Sequence, residues 1–97
     1  MKQEVKKNLY RALLLLQNEQ EIERFLHDLC TPQEINALAE RWRVCGLLNE
    51  GGQSYRQIHD TTGASLTTIA RVARFLHNES YHGYRLILDR QKSVVEK

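Results

Sequence analysis

Four side chains between Ser54 and Asn78 have the types and the spacing to grip a polyanion. Thr67, Arg71, Arg74 and Asn78 recur at intervals that fall on one face of an α-helix. Guanidinium forks suit phosphate oxygens, and threonine hydroxyls and arginines also reach base edges, so the chemistry on offer is recognition and not bond-making. Bond-making candidates are thin. His27, His59, His77 and His82 show no HExxH spacing, Cys30 and Cys45 stand apart with no CxxC, and no Ser or Cys has a nucleophile context. Neither an enzyme, nor a metal site, nor a disulfide framework is expected, and no cofactor is implied.

The elements that must position those side chains can be read from their caps. Ser54 followed by Gln57 is a capping box, so a short helix starts at Tyr55. Gly63 stands where a helix stop needs a left-handed residue, and Ser65 offers a second N-cap two residues later. In the second helix Ile69, Val72, Ala73 and Leu76 fall at i, i+3, i+4 and i+7, an apolar stripe opposite the polar face. Two short helices on so tight a turn make a helix-turn-helix, whose second helix could enter a DNA major groove. Ordinary helical bundles use the same geometry, so the motif leaves three partner classes open. Three Arg and two His against the single Asp60 in residues 54–78 favour duplex DNA. A net charge of only +2, with Leu66 and Ala70 near the tip of the second helix, would also suit a protein-interaction module. A weakly specific reader of the DNA backbone is the third.

The remaining helices are scaffolding. A helix over residues 3–17 carries Val5, Leu9, Ala12, Leu13 and Leu16 as one stripe, widened by Leu14 and Leu15. A face that wide wants cover on more than one side, and 97 residues bury only a limited fraction of their surface, so a second subunit is expected to supply it. A second helix, capped at Asn18, repeats Ile22, Phe25, Leu26 and Leu29 and ends near Cys30. Thr31-Pro32-Gln33-Glu34 is a strong start for a third, running to about Asn49 with Ile35, Leu38, Ala39, Trp42 and Cys45 on one face, stopped by Gly51-Gly52. The last is expected over Tyr81–Lys92, with Ser80 as cap and Tyr84, Ile87 and Leu88 inward, and residues 93–97 frayed. The fold class is all-α with six helices. The apolar run Leu13–Leu16 is too short to span a membrane and no signal peptide is evident, so a cytoplasmic location and no membrane partner are expected.

From Leu29 to Leu76 the chain resembles the Trp repressor superfamily, in Leu-Cys-Thr-Pro-Gln-Glu, Ala37-Leu38, Arg41-Trp42-Arg43, Ser54-x-Arg56-x-Ile58, and Gly63-Ala64 leading to Thr68-Ile69-x-Arg71. It is most similar to the Trp-repressor-related YerC/YecD branch. The resemblance implies a bacterial, nucleoid-associated regulator, most simply a repressor. It implies an intertwined homodimer in which residues 1–53 and 79–92 form the dimerisation core and residues 54–78 the reading head of a single domain. Two heads would then occupy successive major grooves of a roughly palindromic operator in double-stranded DNA. Carried over by position, the DNA-facing residues are Arg56, His59, Ser65, Leu66, Thr67, Thr68, Ala70 and Arg71; Arg74 is added from helical geometry. In the effector pocket Thr31, Arg41 and Arg71 match, but the family's glycine is Val72 and its serine is Phe75. Both add bulk where the ligand would lie. The pocket is therefore expected to be filled and L-tryptophan not to be the effector, which leaves either no effector or a different, smaller or flatter one near Arg41 and Arg71. A long N-terminal arm like that of the Trp repressor is not expected, since the first helix should begin almost at Met1.

Overall fold

The computed structural model describes residues 1–96, and among them there are six helices and no strand. They are α1 (Gln3–Leu14), α2 (Glu19–Leu29), α3 (Pro32–Glu50), α4 (Tyr55–Thr62), α5 (Leu66–His77) and α6 (Gly83–Glu96). The chain divides into two packing units, Met1–Ile35 and the remainder from Asn36.

In the first unit α1 stops at Leu14, three residues before the expected Gln17. Leu15 and Leu16 donate to the carbonyls of Ala12 and Leu13, which tightens the last turn. The next donor is claimed by α2: Gln17 N–H bonds Glu21 Oε1 at 2.9 Å, while Asn18 Oδ1 accepts from Glu21 N–H at 2.9 Å. No residue of α1 or α2 is buried. Val5, Leu9 and Leu13, the centre of the expected stripe, stay at least 37% exposed within one chain. Phe25 and Leu26 are half-buried, whereas Ile22 and Leu29 are exposed.

The second unit holds the core. Val44 and Cys45 of α3, Ile58 of α4, Ala64 of the turn, and Ile69, Val72 and Leu76 of α5 form one buried cluster, with Trp42, Leu47, Leu48, Tyr84 and Leu88 packed around it. Helix α5 packs on both α4 and α6. Gly51 and Gly52 both have positive φ, 76° and 85°, and end α3 as the sequence requires. Four expectations about α6 need correction: Ile87 is exposed and not inward, and Ser80 stands too far upstream to cap this helix. It starts at Gly83, not Tyr81, because His82 is left-handed at φ 57° and Leu86 N–H bonds its carbonyl at 3.0 Å. It also continues through residues 93–96, since nothing after Gly83 is a glycine or proline stop; Lys97 lies outside the described residues. None of the described helices is long and apolar enough to cross a membrane.

Candidate nucleic-acid interface

The turn between α4 and α5 is built from short-range hydrogen bonds. Ser54 Oγ accepts from Gln57 N–H at 3.1 Å and Gln57 Oε1 accepts from Ser54 N–H at 2.7 Å, closing the capping box. Gly63 is left-handed at φ 80° and its N–H bonds the His59 carbonyl at 2.8 Å. Thr62 Oγ1 donates to the Ile58 carbonyl and accepts from Ala64 N–H. Across the turn His59 Nδ1 lies 2.7 Å from the Ala64 carbonyl. A carbonyl can only accept, so Nδ1 carries the proton and Nε2 is left for another partner. A Cβ at Gly63 would meet nothing within 4 Å, yet φ there is left-handed. Gly63→Ala should therefore lose about 1–2 kcal/mol of stability by strain alone, seen as a fall in urea midpoint at unchanged slope.

Ser65 starts α5. Its Oγ accepts from Thr68 N–H at 3.1 Å and donates to Thr68 Oγ1 at 3.0 Å, so the hydroxyl proton of Thr68 is free to point outward. Ser65, Leu66, Thr67, Ala70, Arg71 and Arg74 are exposed, as is Asn78, while Thr68 is half-buried. Arg56 is exposed on α4; His59, also carried over as DNA-facing, is half-buried and serves the turn. The first turn of α5 has no acidic residue, so its unpaired N–H groups and positive dipole end stay available to an anion. The Arg71 guanidinium lies 4.4 Å from the Phe75 ring centroid and that of Arg74 at 5.4 Å. Arg74 is further engaged by Glu79, at 2.7 Å from Nε to Oε1. Arg71 has no carboxylate partner among the described residues, so the two arginines that share one face of α5 are not equivalent.

The expected effector residues are drawn from both units. Thr31 belongs to the first unit, where its Oγ1 accepts from Glu34 N–H and its own N–H bonds Glu34 Oε1, a capping box for α3. Arg41 is half-buried on α3, Val72 is buried in the core, and Phe75 is half-buried beneath the two guanidinium groups. Beside Val72 and Phe75 a cavity of about 280 Å³ remains, walled also by Arg71 and by Tyr81, His82, Gly83 and Tyr84. The sequence points to Tyr84 only as an inward residue of the last helix and to no site in residues 81–84, although Tyr-His-Gly-Tyr is the most ring-rich stretch of the chain. Tyr84 is its half-buried member: its ring sits 6.2 Å from that of Trp42 on α3, tilted by 34°. Burial pushes the Tyr84 phenol above its usual ionisation range, Cys45 adds to that, and Arg41 and Arg71 pull the other way. Burial likewise raises the Cys45 thiol, which makes it an inert packing group. No cluster of His, Cys, Asp and Glu able to hold a metal ion occurs among the described residues.

This arrangement has known counterparts. The family model for the Trp repressor protein matches residues 4–92. The uncharacterised protein YerC of Bacillus subtilis (strain 168) is 44% identical over 86 residues, covering 89% of this chain and 81% of YerC. A crystal structure of a proposed Trp repressor from Staphylococcus aureus superposes with a TM-score of 0.84 at 36% identity, over 94% of this chain and 89% of that one. A TrpR-like protein from Eubacterium eligens ATCC 27750 does so with a TM-score of 0.86 at 35% identity, over 94% and 92%.

Proposed function

The chain belongs to the Trp repressor family, whose members are DNA-binding regulators and not enzymes, and from that premise we propose that it is a sequence-specific, dimeric transcriptional repressor that works without tryptophan. The observation that carries this reading is α5: a capped helix whose inner face, Ile69, Val72, Ala73 and Leu76, is wholly buried and whose outer face offers Thr67, Ala70, Arg71 and Arg74. Arg56 on α4 would take a phosphate beside it, and the backbone donors at Ser65–Thr67 another. Repression follows from occupying a promoter site. The bare stripe of α1 and α2 supports a homodimer, since a second copy presents the same stripe by two-fold symmetry. Such a dimer would read a roughly palindromic operator with half-sites one helical turn, roughly 34–36 Å, apart. Independence from tryptophan rests on Val72 and Phe75, whose side chains take room that the family's glycine and serine leave open.

A second reading, a repressor with a different small effector, is favoured by the cavity of about 280 Å³ beside those two residues. Selection of bound fragments from sheared genomic and random duplex DNA, near physiological salt and with no ligand, separates the two. Enrichment of a palindrome is the result expected of a ligand-independent repressor. Absence of enrichment with the dimer intact would transfer the weight to an unknown effector or a protein partner. Micromolar binding of L-tryptophan by calorimetry would overturn the argument from Val72 and Phe75.

A further inference from the structure

The unexplained feature of this reading is what holds α5 in its pose. Helices α4 and α5 share one tight turn and one set of core contacts, so they can move as a pair; a regulator that needs no ligand must fix that pair to the rest of its chain by its own side chains. One ring stands where such a fixture is needed. Tyr84, in the first turn of α6, is packed against the core cluster, lies 6.2 Å from Trp42 of α3, and forms a cavity wall together with Arg71, Val72 and Phe75 of α5. A single side chain on α6 thereby packs on the core beside Trp42 of α3 and shares a cavity wall with α5. Phenol rings have two side-chain torsions, so one can be immobilised at little entropic cost while covering a large area. The backbone is bent to deliver it: His82, two residues earlier, holds a left-handed φ of 57°, sparsely populated for any residue but glycine, and α6 begins at that bend.

We propose that Tyr84 is a built-in strut, a positioning residue that holds α5 in its DNA-competent pose by packing against the core where α6 approaches α3 and α5. This rests on the ligand-independent reading above. Its counterpart in solution would be a small phenol, and the adjoining cavity gives such a molecule a way in once the side chain is removed. Tyr84→Ala deletes a phenol-sized fragment, and apolar cavities of that size take up single aromatic rings.

The experiment compares the full-length protein with Tyr84→Ala, Tyr84→Phe and Leu88→Ala at a temperature where all four are folded by circular dichroism. Leu88 packs on the same core from the same helix, so its truncation matches the loss of packing without touching α5's wall. Two quantities are read with and without millimolar phenol: affinity for the selected duplex, and hydrogen-exchange protection of the Arg71–Leu76 amides. Tyr84→Ala should lose affinity by about tenfold, as when the competent pose falls to about a tenth of the population, and α5 protection with it. Phenol should restore both in that variant alone, while Tyr84→Phe stays within about twofold of the parent, because a phenylalanine ring packs there nearly as well. Equal affinity in Tyr84→Ala and the parent, an equal loss in Leu88→Ala, or phenol that raises melting temperature without restoring α5 protection would each overturn the strut. Should the parent bind no duplex at all, the DNA reading fails by itself and amide protection still decides the role of Tyr84.

Discussion

Leu13→Asp should abolish the proposed dimer and leave an unfolded or monomeric chain at micromolar concentration. Leu13 lies in the centre of the α1 stripe with Val5 and Leu9, on a helix with no buried residue, where the apolar face has only partial cover within its own unit. Burying an unpaired carboxylate there costs roughly 3 kcal/mol or more per copy. Two-fold symmetry counts the penalty twice, and about 6 kcal/mol is on the order of 10⁴ in a dissociation constant. Asn8→Asp, one turn away on the polar face where Asn8 already accepts a hydrogen bond from Arg11, should leave the dimer intact. Sedimentation equilibrium and thermal melts at several concentrations check both, since the melting temperature of an obligate dimer rises with concentration. A parent that sediments as a monomer and melts independently of concentration would remove the dimer, and with it the palindromic operator.

The same helices illustrate which parts of this fold a sequence carries openly. Caps are local, so Ser54 with Gln57, Asn18 with Glu21, Thr31 with Glu34 and the cap at Ser65 were legible and form, whereas Ser80 fails as a cap because α6 starts only at Gly83. The α5 stripe was legible for a similar reason: one apolar face against one polar face leaves a single solution, and its four residues are the buried ones. Helix α3 is different. Val44 and Cys45 are adjacent and both fully buried, while Leu38, on the expected face, is 46% exposed. Apolar residues around most of its circumference let the period choose no face, and tertiary packing chose Val44. The bend at His82 was hidden because glycine, which stands next to it, is the residue expected to take a positive φ. Interactions that span a helix end were hidden too: Arg74 reaches Glu79 only because α5 stops at His77, a distance in sequence that no helical spacing rule connects. For the candidate interface this means that residue types and faces were readable, but which arginine is free was not.

That difference sets the last expected result: Arg71→Ala should weaken operator binding by roughly 10- to 100-fold near physiological salt and lower the salt slope by about 2 per dimer, one phosphate contact per reading head. Arg74→Ala should do less on both counts. Removing Arg74 also frees Glu79 from its 2.7 Å ion pair, but that pair is exposed and contributes little to the fold. Arg71 has no such partner among the described residues, and its stacking 4.4 Å over Phe75 holds the guanidinium ready, so less side-chain entropy is lost when it closes on DNA. Arg71→Lys keeps the charge while giving up the fork and the stacking, and should fall between the two. Arg71 is also a wall of the cavity beside Tyr84, so a loss of affinity alone could come from a displaced α5. Salt slope distinguishes the causes, because it counts neutralised phosphates and not the fraction of molecules in the right pose. A variant that loses affinity at constant slope has lost the pose, one that loses slope has lost a phosphate contact, and an Arg74→Ala slope change larger than that of Arg71→Ala would reverse the assignment.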